Sequence, residues 1–406
     1  MEAASHPVPA ADPSGGLERH TGRAARELDD YLLVGGGLQN ALIALALLEQ
    51  RPEARLTLIE RAPRLGGNHT WCFHAGDVPE PARSWLDRLV VRRWPSHEVR
   101  FPRYRRRLEQ EYCAITSARL HQVVSERIRC SAGARIVRGA VRAVAPGGVT
   151  LEDGTSRRAR LVIDARGPLF APGAAPRAYQ KFLGLELQLG APSAPEVPLL
   201  MDATVEQLDG FRFLYLLPLA PDRVLLEDTY YSEQAGLDRA LLRRRVLEYA
   251  RHAGLEVRAT LREEYGVLPL PTRAALPAAG CGLIRAGYAG GLFHPTTGYS
   301  LPVALRFALY LAGISPAEAT GQRHAEWLEQ HARQVRYAVL LNRLLFDAFA
   351  PEQRRHVLER FYRLPEPTIV RFYALQTTRL DRGRILCGRP PSGFSLPRLL
   401  SRGTHP

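Results

Sequence analysis

A short apolar run, Asp30-Tyr31-Leu32-Leu33-Val34, meets three consecutive glycines, Gly35-Gly36-Gly37, and then a mostly apolar, Ala/Leu-rich stretch from Leu38 to Leu48. After Pro52 a second apolar run, Leu56-Thr57-Leu58-Ile59, ends at Glu60. Strand, glycine turn, helix, strand and terminal acid, in that order, are the layout of a βαβ dinucleotide site. Gly35 and Gly37 let the backbone approach a pyrophosphate. The helix beginning at Leu38 offers free N–H groups and the positive end of its dipole, and Glu60 accepts from ribose hydroxyls. The pattern reads Gly35-x-Gly37-x-x-Asn40, so the third glycine of the usual fingerprint is missing, which predicts looser packing of helix on strand.

A chain of 406 residues has room for two or three domains. Its formal charge of +14 raises nucleic acid as a partner, but Lys181 is the one lysine and the arginines are spread along the chain. Without aromatic–basic interleaving or a recognisable motif, a nucleic-acid partner is excluded. A basic face that meets an anionic membrane surface fits the charge better. The five cysteines (Cys72, Cys113, Cys130, Cys281 and Cys387) form no C-x-x-C pair. That argues against a disulfide framework and against a zinc site, and fits a reducing compartment. Residues 1–28 are rich in Ala, Pro, Gly and charge and read as a disordered tail without a signal peptide. No uninterrupted apolar run approaches the ~20 residues of a spanning helix, so any membrane contact is peripheral.

Further along, Gly66-Gly67 lies a few residues past Glu60, placed to turn the chain back over a nucleotide. Residues 103–107 read Arg-Tyr-Arg-Arg-Arg, a solvated basic edge. Leu120, Val123, Val124 and Ile128 are spaced for a helix over 117–129. Arg160-Leu-Val-Ile-Asp164-Ala-Arg-Gly167 is an apolar strand ending in Asp-x-x-Gly, the kind of strand that returns to a cofactor in a two-dinucleotide fold. Between 178 and 230, runs at 182–189, 211–217 and 224–229 predict an antiparallel sheet, a natural wall for an apolar ligand. A second strand–glycine loop–helix follows at 283–302, through Gly290-Gly291 and His294-Pro-Thr-Thr-Gly298. From 315 onward the chain reads as helical, and its 333–349 stretch reads as a core-packing helix, with an amphipathic membrane-surface helix as the rival.

Assembled, these landmarks resemble the bacterial lycopene β-cyclases, flavoprotein cyclases of carotenoids. The resemblance spans about 29–392. It rests on Val34-Gly-Gly-Gly-Leu, Gly66-Gly-Asn-His-Thr-Trp71, Ile163-Asp-Ala-Arg-Gly167, Met201-Asp-Ala-Thr-Val-Glu-Gln207, Leu226-Glu-Asp-Thr-Tyr-Tyr231, Phe293-His-Pro-Thr-Thr-Gly-Tyr-Ser-Leu-Pro302 and Leu341-Asn-Arg-Leu-Leu-Phe. Cys72 stands where Ser is expected and Ala165 where Gly is common. The resemblance implies an α/β chain: a Rossmann-like FAD-binding fold of the two-dinucleotide-binding type, with an antiparallel-sheet substrate domain and a helical C-terminal region. Its parts are expected at 29–74, 112–170 and 280–312 for FAD, 75–111 and 171–279 for substrate, and 313–406 for the helical region.

The implied reaction turns the linear ends of lycopene into β-ionone rings, through γ-carotene to β-carotene, with no net redox change. Reduced FAD is the implied cofactor and NAD(P)H its reductant, with the protein peripheral on the cytoplasmic side of the membrane. Because the substrate is a pure hydrocarbon, the site has to be a long apolar tunnel with one acid at its end. The motif match puts Glu227 there, with Asp228 as the alternative. Strand alternation turns these neighbours to opposite faces, so one of them enters the tunnel. The bland reading of Glu227 is an acid paired with an arginine at a strand end. His294 divides between flavin packing and removal of the final proton, and His69 and Trp71 share that ambiguity. The FAD contacts are expected at Gly35, Gly37, Leu38, Glu60, Gly66, Gly67, Asp164, Gly167, Gly290, Gly291, Pro295, Thr296, Thr297 and Gly298, and no metal is expected. The competing reading is an FAD-dependent reductase or monooxygenase of a polyisoprenoid on the same frame.

Overall fold

The computed structural model describes residues 28–167, 177–273, 282–388 and 390–403. All of the expected tail except Leu28, and the expected boundaries at 170/171 and 279/280, lie outside the described residues. Two sheets of seven strands and one of three organise the chain. The first has a parallel core in the order Ala134–Arg138, Leu56–Glu60, Asp29–Val34, Ser156–Asp164, Leu283–Arg285. An antiparallel hairpin, Val141–Ala145 with Gly148–Leu151, extends it from the first residues of Ser156–Asp164. This is the Rossmann-type frame that the opening glycine turn demands, with helices on one face of the sheet and Val149 and Leu151 of the hairpin packed on the other.

Helix Leu38–Gln50 is apolar all round, and every residue from Leu38 to Leu48 is buried. Such a helix is stable only when enclosed. It is covered by the sheet, by helix Ser117–Arg129 and by helix Leu301–Ala312. Asn40, where the third glycine of the fingerprint would stand, does not loosen this packing. Its buried amide donates to the Val34 carbonyl at 3.0 Å and to the Gly35 carbonyl at 2.9 Å. The side chain thus ties the helix to the end of the strand that a glycine would merely allow to approach.

The second sheet runs in the order Val257–Pro269, Tyr179–Leu189, Arg223–Ser232, Phe211–Ala220, Leu199–Asp202, His97–Phe101, Tyr104–Leu108. All neighbours are antiparallel except Leu199–Asp202 with His97–Phe101. Its two faces follow the period of two. Leu183, Leu185, Leu214, Leu216, Val224 and Leu226 pack on one side against Leu242, Val246 and Ala250 of helix Arg239–His252. Phe211, Phe213, Leu217, Leu225 and Tyr231 face the other way, toward Leu345, Phe346, Tyr362, Phe372 and Tyr373 of the C-terminal helices. The small sheet of Thr70–His74, Tyr112–Thr116 and Arg92–Trp94 lies between the two cores, Phe73 and Ile115 entering one, Tyr112 and Ala114 the other.

The basic run at 103–107 is an edge strand with Arg105 and Arg107 exposed, as expected. Arg106 is the exception: it donates to the Tyr362 carbonyl at 2.7 Å and the Leu364 carbonyl at 2.6 Å, fastening the sheet edge to the C-terminal helices. The stretch 333–349 belongs mostly to helix Gln322–Asp347, whose Val335, Ala338, Val339, Leu345 and Phe346 are buried. The core-packing reading holds for that face.

Asn40→Ala deprives buried carbonyls of their donor and is expected to lower stability by about 1–3 kcal/mol, read from urea denaturation of the two proteins.

Candidate active site

Two cavities lie where the sequence places chemistry. The first is a crevice at the carboxyl ends of the parallel strands, lined by Gly35, Gly37, Glu60, Gly66, Gly67, Arg166 and Gly167, with Arg61 and Arg64 at the same site. Gly35 needs its φ of +92°, and a Cβ there would press on the Ala165 carbonyl at 3.1 Å. A Cβ on Gly37, Gly67 or Gly167 would meet nothing within 4 Å, so these three border open space. Helix Leu38–Gln50 has no side-chain cap and no acid in its first turn, leaving backbone N–H groups free to meet an anion. The Glu60 carboxylate is held in place by the Gly36 and Ala62 N–H groups, each at 2.7 Å. This donor set fits a dinucleotide: glycine backbone and arginines for phosphate, an acid for ribose.

Asp164 does not face this crevice as a free carboxylate. It is buried and forked by Arg166, Nε to Oδ1 and Nη2 to Oδ2 both at 2.9 Å. Gly290 and Gly291, expected as cofactor contacts, line neither cavity. Gly290 closes the short turn Gly287–Gly290 against the Arg285 carbonyl, and Gly291, at φ +67°, ends it and accepts from His331 Nε2 at 3.0 Å. Their glycine character is used by the turn itself. The Pro295 carbonyl accepts from Asn342 at 2.9 Å, and Thr296 donates to the Ala338 carbonyl at 3.1 Å, anchoring this loop to helix Gln322–Asp347. Thr297 and Gly298 do reach the second cavity.

That second cavity lies between the strand Thr70–His74, the 297–301 segment and the large antiparallel sheet. His69, Trp71, Phe182, Phe213, Tyr215 and Tyr299 form much of its wall, and among the described residues lining it Glu227 is the one carboxylate. Met201, Tyr231, Thr297 and Tyr373 also line an apolar cavity of about 310 Å³ that reaches among the C-terminal helices. The Glu227 cavity therefore adjoins apolar space in the helical region across these shared walls.

Glu227 and Asp228 part as strand alternation requires. Asp228 is fully buried on the face covered by helix Arg239–His252, where Arg212 holds both its oxygens, at 2.8 and 3.0 Å, and Tyr230 donates at 2.9 Å. The arginine partner considered for Glu227 belongs to Asp228. Glu227 accepts from Thr229 at 2.7 Å and stands opposite Tyr215 on one side and Gly184 on the other. Gly184 in turn stands opposite Glu264. With no side chain between them, the two acids share one row of the sheet, a Cβ at Gly184 lying 3.2 Å from Glu264 Cγ and 3.5 Å from Glu227 Cβ. Glu264 is neutralised by Arg262, which also bonds Glu186 at 2.9 Å and Thr70 at 2.8 Å. Burial first, and the Glu264 charge second, push the Glu227 carboxyl up to about 8.

His294 is locked rather than poised. Its Nε2 donates to the Phe372 carbonyl at 2.8 Å, its Nδ1 accepts from the Thr296 N–H at 3.1 Å, and burial lowers it to about 3. His69 and Trp71 line the cavity, their rings 5.2 Å apart, and burial lowers the His69 imidazole. Gly184, Arg262 and Glu264 escaped the sequence reading. A glycine inside an apolar strand is the local signal for a close approach, but nothing distinguishes Glu264 from Glu263 until the strand pairing is known.

A Rossmann-type frame joined to a large antiparallel sheet is the architecture of FAD-dependent oxidoreductases and monooxygenases. Solved structures share it: Pseudomonas aeruginosa PqsL in complex with 2-aminobenzoylacetate (TM-score 0.58, 20% identity, 81% of this chain and 98% of that one). Another is a geranylgeranyl bacteriochlorophyll reductase-like protein from Thermoplasma acidophilum (TM-score 0.59, 15% identity, 92% and 95%). The sequence model described as lycopene cyclase protein matches residues 30–399. The chain is 44% identical over 373 residues to a lycopene beta-cyclase of Pseudescherichia vulneris, covering 89% of this chain and 94% of that one. It is 42% identical over 371 residues to one of Pantoea ananas, covering 89% and 95%. The chain belongs to the lycopene cyclase family.

Asp228→Ala leaves Arg212 buried without its partner and is expected to cost about 3–5 kcal/mol of stability, measured by denaturant unfolding. A carboxyl at about 8 when folded and near 4.5 when unfolded stabilises the fold fully below the lower value, and that contribution is lost as pH rises through the upper one. Thermal melts from about pH 5 to pH 8 should therefore show wild type losing stability relative to Glu227→Gln.

Proposed function

We propose that this protein is a lycopene β-cyclase that turns the linear ends of lycopene into β-ionone rings, through γ-carotene to β-carotene, with Glu227 as the proton donor. The observation that carries this reading is the single carboxyl at the head of an apolar cavity, with its pKa raised so that it keeps its proton at neutral pH. A hydrocarbon offers nothing to hydrogen bond, so the aromatic and aliphatic wall binds and orients it by shape alone. Glu227 delivers its proton to C2 of the terminal double bond, leaving a cation at C1. The C5=C6 double bond closes on that cation, and loss of the C6 proton leaves the ring. Two groups lining the cavity can take that proton: the Glu227 carboxylate left by the first step, and the neutral imidazole of His69. Proton out and proton in cancel, so the product has the mass of the substrate.

FAD is the cofactor that the crevice would hold, its diphosphate against Gly35, Gly37 and the start of the Leu38 helix, its ribose against Glu60. Bound there in its reduced, anionic form, with NAD(P)H as reductant, it would supply a fixed negative charge to favour a developing cation. The protein is peripheral, on the cytoplasmic side of the membrane; among the described residues no helix is long and apolar enough to cross one.

Expression in a lycopene-accumulating bacterium tests the reading. Wild type should yield β-carotene of unchanged mass, whereas a reductase or monooxygenase would shift the mass and consume NAD(P)H stoichiometrically. Glu227→Gln should cut product formation by about 10²–10⁴-fold with flavin absorbance retained, and full activity in that variant would remove Glu227 from the mechanism. Turnover by wild type should hold below about pH 8 and fall above it, as the donor loses its proton.

A further inference from the structure

The apolar cavity that adjoins the Glu227 cavity ends among residues that are themselves on the surface. Arg384, Leu386, Pro390 and Phe394 line it, and Leu386 and Phe394 are 43% and 42% exposed. We propose that this C-terminal face is where the protein sits on an anionic lipid bilayer, and that the hydrocarbon passes from the bilayer into the cavity at this mouth. The proposal rests on the reading of lycopene as substrate, and adds the surface that meets the lipid.

Two independent features point to lipid. Leu340, Leu380 and Leu396 are 40%, 62% and 54% exposed, so with Leu386 and Phe394 this region holds five of the eleven exposed large hydrophobic side chains among the described residues. Leu340 comes from helix Gln322–Asp347, Leu380 and Leu386 from helix Arg379–Leu386, Phe394 from the segment before helix Leu396–Gly403, and Leu396 from the start of that helix. The first two of these helices touch: Tyr337 bonds the Arg382 carbonyl at 3.3 Å and Arg382 lies over the Tyr337 ring. A concentration of exposed apolar groups on one face marks a binding surface. The charge lining the cavity is of one sign: Arg360 and Arg384 are its charged groups, with no carboxylate there. Arg343 and Arg379 are exposed on the helices that carry Leu340 and Leu380, and among the described residues no carboxylate pairs with Arg343, Arg379 or Arg384. Apolar side chains to enter the interface, ringed by arginines to meet phosphate headgroups, are what a bilayer-surface contact requires.

The purified full chain is floated with vesicles of phosphatidylcholine alone or mixed with phosphatidylglycerol. Wild type should bind the mixed vesicles, weaken as salt is raised, and bind poorly to phosphatidylcholine. Each arginine contributes about a fivefold factor in affinity near such a surface, so Arg343→Gln with Arg379→Gln should weaken binding about 25-fold. Leu380→Asp with Leu396→Asp should abolish it. These side chains lie outside the cavity lining, so the melting temperature and the turnover of detergent-dispersed lycopene should match wild type while turnover of vesicle-borne lycopene falls. Wild type that ignores anionic vesicles, or folded variants that bind them as well as wild type, would overturn the proposal. Should the leucine pair fail to fold, the arginine pair decides. If wild type cyclises lycopene in neither presentation, the substrate assignment falls, and vesicle binding still decides the docking surface.

Discussion

A carboxylic acid facing an apolar cavity can give a proton to an alkene only if it arrives protonated, and the arrangement around Glu227 follows from that constraint. Charge is unfavourable where water is excluded, so the first device is burial itself. The second is Gly184, which removes the one side chain that would separate Glu227 from Glu264. A second carboxylate in the same row makes ionisation of the first harder still. Arg262 keeps Glu264 from becoming an uncompensated charge, and is itself spread over Glu186 and Thr70. The neutral acid is thus a property of three strands rather than of one residue.

The same logic explains why the adjacent acid cannot replace it. Asp228 is as buried as any group in the sheet, but Arg212 and Tyr230 satisfy both its oxygens on the opposite face. Its oxygens are taken up by those two partners, and it does not line the cavity that Glu227 faces. Two acids side by side in sequence have been separated into a structural ion pair and a lone cavity acid by a half-turn of the strand.

The βαβ site was legible because its signals are local: glycines at fixed offsets, an apolar helix, an acid at a strand end. Six of the glycines and acids expected there do line the crevice: Gly35, Gly37, Glu60, Gly66, Gly67 and Gly167. Glu227 and Asp228 diverge because alternation is local too. Where the reading fell short, the cause was long-range. Asn40 reads as a missing glycine until its amide is seen bonding the carbonyls at the end of the first strand. Gly290 and Gly291 read like Gly35 and Gly37, yet their freedom is consumed by a turn. His294 reads as either a flavin-packing group or a proton acceptor, and the hold that the Phe372 carbonyl of the C-terminal helices has on its ring is invisible in the sequence. Glu264 became visible only through pairing of strands about eighty residues apart in the chain.

One acid also constrains how a symmetric substrate is handled. Lycopene has two equivalent ends, and among the described residues lining the cavity there is one carboxyl. On the proposed reading, with Glu227 the donor for both ends, the two rings form in succession, the half-cyclised molecule being withdrawn and its other end presented to the same acid. A rod-like hydrocarbon cannot reverse itself inside a close-packed interior. The turn has to happen outside, in a medium that dissolves it, before the second end comes back through the mouth. Release of γ-carotene into the bilayer is therefore a step of the proposed reaction rather than a leak from it. The ratio of one-ring to two-ring product then depends on how readily that mouth recaptures what it has just let go.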